Sequence, residues 1–300
     1  MTLRAPDVAI SHQLRPPPYG GSNQFLLALR GELRRRGLRV ADGPVSRRAR
    51  SVLLHSYLVD LRERPPVRVV HRVDGPIGLY RGSDDSVDLR IAEINRELAD
   101  ATILQSRYSL EAHRELGIEL RDPVVIPNAV DPSIFHPPAD REPLSARRVR
   151  VVATSWSDNP RKGGETYAWL AENVDRDRYE FTFVGRASVP VEAEHVLEPL
   201  PSQELAEVLR GQDLYVTASL SDPCSNALLE ALACGLPALY VRSGGHPELV
   251  GDAGFPYDEQ EELRELLDRL VAELDARRAA IRVPRLEEVA DRYLDALGFA

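Results

Sequence analysis

Short apolar runs alternate with amphipathic helical patterns through the first half of the chain. The segment 22–36 places Phe25, Leu26, Leu29 and Leu33 on one helical face, between a capping Ser22 and a terminating Gly37. Further helices are predicted over 89–98 and 109–116, and buried strands over 7–11, 51–55, 67–70, 102–105 and 124–126. This alternation is typical of a parallel sheet covered by helices.

The same alternation restarts in the second half, after residues 131–148, which hold four prolines and lack periodicity. Strands are predicted over 149–153, 181–184, 214–217 and 238–241, and helices over 164–170, 203–209, 227–233, 261–279 and 286–297. We predict an α/β protein of two Rossmann-like, doubly wound domains that face each other across a cleft, spanning 1–145 and 146–283. Residues 284–300 are expected to pack back on the first domain.

Size and composition fit two domains. The chain has 300 residues and 33.4 kDa, 43% hydrophobic residues and a mean hydropathy of -0.29, which is typical of globular material. The longest apolar candidate, 231–241, is interrupted by Gly235 and Pro237 and falls short of the ~20 residues of a membrane span. The first residues contain an acid and a proline where a signal peptide needs an apolar stretch. We therefore expect a cytoplasmic protein with Cys224 and Cys234 reduced.

Charge is divided unevenly along the chain. Residues 1–150 carry 24 Arg and 19 acids (24 − 19 = +5), and residues 151–300 carry 14 basic residues and 28 acids (14 − 28 = -14). An arginine cluster lies in the first fifty residues: Arg34, Arg35, Arg36, Arg39, Arg47, Arg48 and Arg50. It could attract an anionic acceptor or the anionic inner face of a membrane, or it could be a solvated helix face. Nucleic acid is disfavoured, because no aromatic residues interleave these arginines and the net charge is -9.

Lys162 is the single lysine among 38 basic residues. An ammonium retained where arginine serves elsewhere is a candidate for a task that needs a compact point charge. Its surroundings, Pro160-Arg161-Lys162-Gly163-Gly164, form a glycine-containing turn.

Two further segments are candidates for phosphate and sugar binding. Gly20-Gly21 follows the first predicted strand and opens a helix, so a ligand could approach unpaired backbone amides there, although such turns often contain glycine without binding anything. Asp222 and Glu230 lie eight positions apart, on either side of the helix-capping residues Ser225 and Asn226. The acids could meet hydroxyl groups of one ligand, or Asp222 could be a cap and Glu230 a surface acid.

The chain resembles the retaining glycosyltransferases of GT-B fold, the family-4-like group that uses nucleotide-diphosphate sugars. Four stretches carry the resemblance: Tyr19-Gly20-Gly21; Ile126-Pro127-Asn128-Ala129-Val130-Asp131; Asn159-Pro160-Arg161-Lys162-Gly163; and Asp222 to Glu230, which occupies an E-x7-E motif and continues into Gly244-Gly245-His246-Pro247-Glu248.

The resemblance implies a role for each matching residue. Lys162 would bind the donor diphosphate, with Gly20, Gly21 and the helix start at Ser225 and Asn226. Glu230 would accept hydrogen bonds from the ribose, and Asp222 would contact the sugar beside the anomeric carbon. His71, which ends a strand, resembles the active-site histidine of the family, although it could instead be a hydrogen-bonded interior residue.

Two departures from the family pattern affect the site. The first acid of the motif is Asp222 where glutamate is usual, which shortens its reach by one methylene group. The family often has an arginine five or six positions before the lysine, where this chain has Trp156 and Ser157. Arg161 is then the candidate for the second positive charge.

The implied reaction is transfer from a UDP-, GDP- or dTDP-sugar to a small-molecule, lipid or glycan acceptor, with retention of configuration. Because Lys162, Arg161 and helix starts would stabilise the leaving diphosphate, no metal and no further cofactor are expected. The adjacent Asp84 and Asp85 are interpreted as a solvated turn. The alternatives are a GT-B epimerase and a non-catalytic nucleotide-sugar-binding subunit, while a pyridoxal-phosphate phosphorylase would need a lysine of its own.

Overall fold

The structure, a computed structural model, describes residues 5–16, 19–43, 48–57, 59, 64–84 and 86–299. The chain divides into two compact units. The first comprises residues 1–16, 22–129 and 284–300, and the second comprises residues 17–21 and 130–283.

The first unit is built on a six-stranded, all-parallel sheet in the order β2-β1-β3-β4-β5-β6. Its strands are β1 (Val8–Ser11), β2 (Val40–Asp42), β3 (Ser51–His55), β4 (Arg68–Val73), β5 (Ala101–Leu104) and β6 (Pro123–Val125). The connecting helices are α1 (Gly21–Arg35), α2 (Ile77–Arg81), α3 (Ser86–Leu98) and α4 (Arg107–Glu115).

The second unit repeats this plan with a sheet in the order β12-β11-β10-β7-β8-β9. Its strands are β7 (Val149–Ser155), β8 (Tyr179–Gly185), β9 (His195–Leu197), β10 (Leu214–Thr217), β11 (Ala238–Val241) and β12 (Gly254–Tyr257). Its helices are α5 (Gly164–Asn173), α6 (Ser202–Arg210), α7 (Asn226–Ala233), α8 (His246–Val250), α9 (Leu263–Ala272) and α10 (Leu274–Ala279). The chain then returns to the first unit with α11 (Leu286–Leu297).

Helix α11 completes the core of the first unit. The α1 face that the sequence predicted is buried, and the Tyr293 ring of α11 lies 5.6 Å from the Phe25 ring of that face. Arg36 holds the start of α11 by donating to the Glu287 carbonyl at 2.8 Å. Each fully buried apolar side chain contributes about 1.5–3 kcal/mol, so the last residues of the chain are needed for the stability of the first unit.

The division of the chain differs from the predicted domain boundary at residue 145. Residues 130–145 group with the second unit, where Phe135 is buried in the core. Arg210 donates to the Ile134 carbonyl at 2.9 Å, and Arg141 donates to the Cys234 carbonyl at 2.7 Å. A segment with four prolines is therefore fixed by side-chain contacts, which its lack of periodicity did not indicate.

The predicted strands and helices are present, with three differences. The five-residue helices α2 and α8 were not predicted. Three short strands were not predicted, namely β2, β9 and β12, and all are edge strands of three or four residues with mixed sequences. The single helix predicted over 261–279 is interrupted at Glu273, which separates α9 from α10.

The N-terminal arginine cluster lies at the amino edge of the first sheet, and five of its members make ion pairs or hydrogen bonds within the unit. Arg39 and Arg50 precede β2 and β3 and both contact the Asp7 carboxylate. Arg35 and Arg36 pair with Glu32, Arg36 also pairs with Asp291, and Arg34 donates to the Val40 carbonyl. Arg47 lies outside the described residues. Because acids of the unit neutralise much of this charge, the cluster is less basic than its sequence indicated.

Candidate functional site

The second sheet has its topological switch point between β7 and β10. From β7 the chain proceeds outward through β8 and β9, and then returns to the other side of β7 to add β10, β11 and β12. In open α/β sheets, ligands bind beyond the carboxyl ends of the strands at such a point. The loops that leave β7 and β10 are residues 156–163 and 218–225, and they contain Lys162 and Asp222.

Local sequence shapes the loop that carries Lys162. The Asn159 side chain accepts from the Arg161 amide at 2.9 Å and caps a 3-10 turn over Pro160–Lys162, in which proline takes the first position. Gly163 follows with φ +83°, and a β-carbon there would lie 2.3 Å from the Ala218 β-carbon. Only glycine allows this close approach, so Gly163 brings the Lys162 turn against the end of β10.

Lys162 and Asp222 form an ion pair at the switch point. The Lys162 Nζ lies 2.8 Å from Asp222 Oδ2, and the two side chains are 18% and 11% exposed. Burial acts to raise the pKa of Asp222, but the Lys162 charge and the hydrogen bonds from Lys162 and the Cys224 amide act together to hold the pKa below its usual value. Arg161 reaches the same loop, donating to Ser221 Oγ at 3.0 Å. The two candidate cations therefore both contact the 218–225 loop, Lys162 at the Asp222 carboxylate and Arg161 at the Ser221 hydroxyl.

The loop after β11 packs against the backbone of Asp222. The Gly245 amide donates to the Asp222 carbonyl at 2.9 Å. Gly244, at φ +64°, lies so close that a β-carbon there would be 2.3 Å from the Asp222 carbonyl oxygen. The next residue, His246, is fully buried and donates from Nδ1 to the Val241 carbonyl at 3.2 Å. The Gly-Gly pair of this motif therefore fixes the backbone of Asp222.

Helix α7 begins directly after this loop. Ser225 caps it by accepting from the Leu228 amide at 3.4 Å. The Asn226 side chain donates to the Gly21 carbonyl, and Gly20 and Gly21 group with the second unit. The predicted glycine turn is thus in contact with the predicted helix start, where the positive end of the helix dipole favours an anion.

Glu230 is buried on α7 with 8% exposure. Burial alone raises the pKa of its carboxyl group to about 8. At neutral pH a group with this pKa is largely protonated and can donate as well as accept a hydrogen bond. The sequence alone did not exclude that Glu230 is an acid on the protein surface. Its burial excludes that alternative.

His71 lies in the interior of the first unit. It has 0% exposure, its Nε2 donates to the Ser56 carbonyl at 2.8 Å, and its Nδ1 accepts from the Asn95 amide at 3.3 Å. Burial lowers its pKa to about 4. Because both ring nitrogens are engaged within the core, the expected contact of His71 with the sugar has no support, and the interior alternative accounts for it.

One group of three described side chains has ligand atoms close enough for a metal ion: Glu180, Glu194 and His195. Arg148 lies 2.7 Å from Glu194 and 3.6 Å from Glu180, so a guanidinium already pairs with both carboxylates. Glu180 is near the amino end of β8, at the edge of the sheet opposite Lys162. Asp84 accepts hydrogen bonds from Ser86 in an exposed turn. The next residue, Asp85, lies outside the described residues.

No helix among the described residues combines the length and the apolar character that a membrane span requires. The two cysteines, Cys224 and Cys234, are free and buried.

Comparison with known proteins shows what parts of this chain are similar to. The family described as Glycosyl transferases group 1 matches residues 150–273. The MMP alpha-(1->4)-mannosyltransferase of Mycolicibacterium hassiacum is 28% identical over 175 residues, covering 54% of this chain and 41% of that protein. The curated relatives are matched over 35% to 49% of their own length, so the chain corresponds to less than half of each.

Two solved structures have the same fold across nearly the whole chain. Sucrose-phosphate synthase of Thermosynechococcus elongatus has a TM-score of 0.73 at 17% identity, covering 98% of this chain and 95% of that one. HepE of Anabaena, solved with UDP-glucose, has a TM-score of 0.66 at 14% identity, covering 97% and 94%. The predicted α/β class and GT-B fold, with one Rossmann-like sheet in each unit, are confirmed.

Proposed function

We propose that this chain, whose residues 150–273 match the Glycosyl transferases group 1 family, is a glycosyltransferase that takes its sugar from a nucleotide-diphosphate donor. The observation that carries the proposal is the Lys162–Asp222 pair at the switch point of the second sheet. One ammonium and one carboxylate side by side suit a ligand that presents phosphate oxygens next to sugar hydroxyls.

The donor would bind across the loops after β7 and β10 and the start of α7. Lys162 and Arg161 would contact the diphosphate, with Gly20, Gly21 and the capping residues Ser225 and Asn226 alongside. Asp222 would accept hydrogen bonds from the sugar, and Glu230 would contact the ribose. The UDP-glucose in the HepE structure supports a nucleotide-sugar donor in this fold. The proposed donors are UDP-, GDP- and dTDP-sugars.

The barrier would be lowered by charge stabilisation. As the glycosidic bond breaks, negative charge gathers on the leaving diphosphate and the sugar becomes oxocarbenium-like. Preorganised donors aimed at that charge are worth about 2.7–4 kcal/mol each. Lys162, Arg161 and the helix start would supply them without a metal ion, and the acceptor would attack from the side that the diphosphate leaves, which retains the configuration.

A third cation lies beside Trp156, which stands where the family often has an arginine. Trp156 follows β7 directly and is 38% exposed, and the Arg186 guanidinium, just after β8, lies 5.7 Å from its ring centroid. Arg186 is therefore a further candidate for donor binding at the same sheet edge, beside Trp156.

The alternative is a subunit that binds a nucleotide sugar without turning it over, and Trp156 is the residue that motivates it. A panel of UDP-, GDP- and dTDP-sugars separates the two. Slow hydrolysis of one donor that persists in EDTA, with release of a sugar of unchanged anomeric configuration, supports the metal-independent retaining enzyme. Binding of a donor without turnover supports the subunit, and conversion of the donor sugar to its epimer supports an epimerase.

We also propose that the protein contacts an anionic membrane and that its acceptor can be a lipid. The pairing of Arg35, Arg36, Arg39 and Arg50 with acids weakens this part of the proposal. Cosedimentation with phosphatidylglycerol vesicles at low and physiological salt tests it. Binding that disappears with added salt supports attraction by the arginine cluster, and no binding at low salt rejects it.

A further inference from the structure

The first sheet has a switch point of its own, between β1 and β3. Strand β1 is flanked by β2 on one side and by β3, β4, β5 and β6 on the other. His12 follows β1 and His55 ends β3, and their rings meet edge to face with centroids 4.9 Å apart. Because ligands bind at switch points beyond the carboxyl strand ends, this edge is a second candidate position for a ligand.

A buried cation organises this edge. The Arg72 side chain, on β4, has 0% exposure, and its Nη1 donates to Asp74 Oδ1 at 2.8 Å. Nη2 donates to Asn128 Oδ1 at 2.9 Å, and Nη1 lies 3.2 Å from His55 Nδ1, which accepts from it. The guanidinium also lies 5.2 Å from the centroid of the Phe25 ring. A cation held on so many sides cannot swing out to meet a ligand.

Asp74 is the exposed end of the cluster. Its side chain is 23% exposed, and its second oxygen, Oδ2, has a 3.3 Å contact with Ser22 Oγ. Two side chains hold the backbone at Val73 and Asp74. Ser109 Oγ donates to the Asp74 carbonyl at 3.3 Å, and the Gln105 side-chain amide donates to the Val73 carbonyl at 2.9 Å. A carboxylate offers about four acceptor positions, so Asp74 retains capacity toward the outside.

Arg72 and Asp74 are the two charged members of the hydrogen-bonded cluster, and Arg15 and Asp42 act on His12 from outside it with opposite charges. Burial lowers the pKa of His55 to about 3, and burial together with Arg72 lowers the pKa of His12, so both imidazoles are neutral. Burial acts to raise the pKa of Asp74, but the Arg72 charge and the hydrogen bonds from Arg72 and Ser22 act together to place the pKa below its usual value. A guanidinium and a carboxylate sum to zero, and the carboxylate is the member that faces outward.

The arginine cluster of the first fifty residues cannot take part in this site. Asp7, Arg39 and Arg50 lie before β1, β2 and β3, at the amino edge of the sheet, whereas His12, His55 and Asp74 lie at the carboxyl edge. An anionic ligand drawn to the arginines would therefore arrive at the opposite edge from this cluster.

We propose that Asp74, oriented by the buried Arg72, is the anchor for a neutral, hydroxyl-rich acceptor such as a sugar or polyol at the switch point of the first sheet. This inference rests on the proposed function, which requires an acceptor, and it names the acceptor class. Asp74 is a hydrogen-bond acceptor for ligand hydroxyls, and Arg72 is a positioning residue that acts through it.

Saturation-transfer NMR of the full chain, without nucleotide, tests the inference with methyl α-D-glucopyranoside and myo-inositol as neutral probes and glucose 6-phosphate as the anionic probe. Both neutral probes are expected to bind the wild-type protein, and Asp74→Asn should weaken them about tenfold or more, because a hydrogen bond to a charged group is lost. Asp42→Asn is the matched control, since Asp42 is 22% exposed, ends β2 and pairs with Arg30 at 2.7 Å.

Three results overturn the inference: no binding of either neutral probe to the wild type, equal binding to Asp74→Asn, or tighter binding of glucose 6-phosphate than of the neutral probes. Should Asp74→Asn fail to fold, Asp74→Glu keeps the charge, moves the carboxylate by one methylene group, and is expected to weaken the neutral probes in the same way.

Titration with UDP separates this inference from the proposed function. Asp74→Asn should bind UDP like the wild type, whereas a wild-type chain that binds the neutral probes but no nucleotide overturns the proposed function and removes the acceptor role of the site.

Discussion

The ammonium of Lys162 lies 2.8 Å from Asp222, although the two residues are 60 positions apart in the chain. Each stands in a loop at the carboxyl end of a strand, and β7 and β10 are neighbours in the sheet. The pair joins the only lysine of the sequence to the first acid of its acidic motif. A diphosphate that binds Lys162 would compete with Asp222 for the ammonium.

Replacing Lys162 by alanine should reduce turnover of the nucleotide sugar roughly a hundredfold or more, because the variant loses charge aimed at the leaving diphosphate. Steady-state hydrolysis or transfer of the donor measures this. Arg242→Ala is the control, since it removes an equal charge from a pair whose side chains are 56% and 62% exposed. Kinetics of Lys162→Ala equal to those of Arg242→Ala would remove Lys162 from the site.

Glu230 should make the folded protein less stable as the pH rises from about 4.5 to about 8. In this window the folded state keeps the proton on Glu230 while the unfolded state loses it, so raising the pH favours unfolding. Urea unfolding across this range measures the slope. Glu230→Gln should flatten it, whereas Glu204→Gln, an exposed position on α6, should leave it unchanged. Identical slopes in the wild type and Glu230→Gln would contradict the burial of this carboxyl group.

Gly163→Ala should destabilise the protein and impair donor binding together. The new β-carbon would lie 2.3 Å from the Ala218 β-carbon at φ +83°, so the turn that carries Lys162 must move. Thermal unfolding and nucleotide titration measure the two effects. Gly31→Ala is the control, because Gly31 lies inside α1 with nothing within 4 Å of an added β-carbon, and it should stabilise by about 0.5–1 kcal/mol. A Gly163→Ala variant as stable as the wild type would disprove the close packing.

Arg72→Met should cost about 3–5 kcal/mol of unfolding free energy, because it leaves Asp74 and Asn128 without the cation that they hold in the core. Chemical denaturation measures the loss. Arg90→Met is the comparison, since Arg90 pairs with Glu93 on the surface with side chains 52% and 44% exposed, and such pairs contribute about 0–1 kcal/mol. Losses of similar size in the two variants would mean that Arg72 is not a structural centre of the first unit.

Local features of the fold could be predicted from the sequence, since they depend on neighbouring residues. The alternation of strands and helices, the buried face of α1 and the Asn159-Pro160 turn with its glycine all follow from periodicity and capping. The edge strands β2, β9 and β12 could not be predicted, because three or four mixed residues carry little pattern and are fixed by pairing with a neighbouring strand.

For the candidate site, the sequence by itself determined which residues are candidates for the chemistry: one lysine, two acids eight positions apart, and glycines at tight turns. The tertiary structure alone decided which of them meet. Sheet order brings Lys162 to Asp222, whereas neighbours on a strand such as His71 and Arg72 point to opposite faces and enter different networks. Because helices cover both faces of a parallel sheet, the sequence pattern of β4 did not distinguish a core histidine from a residue that orients a site.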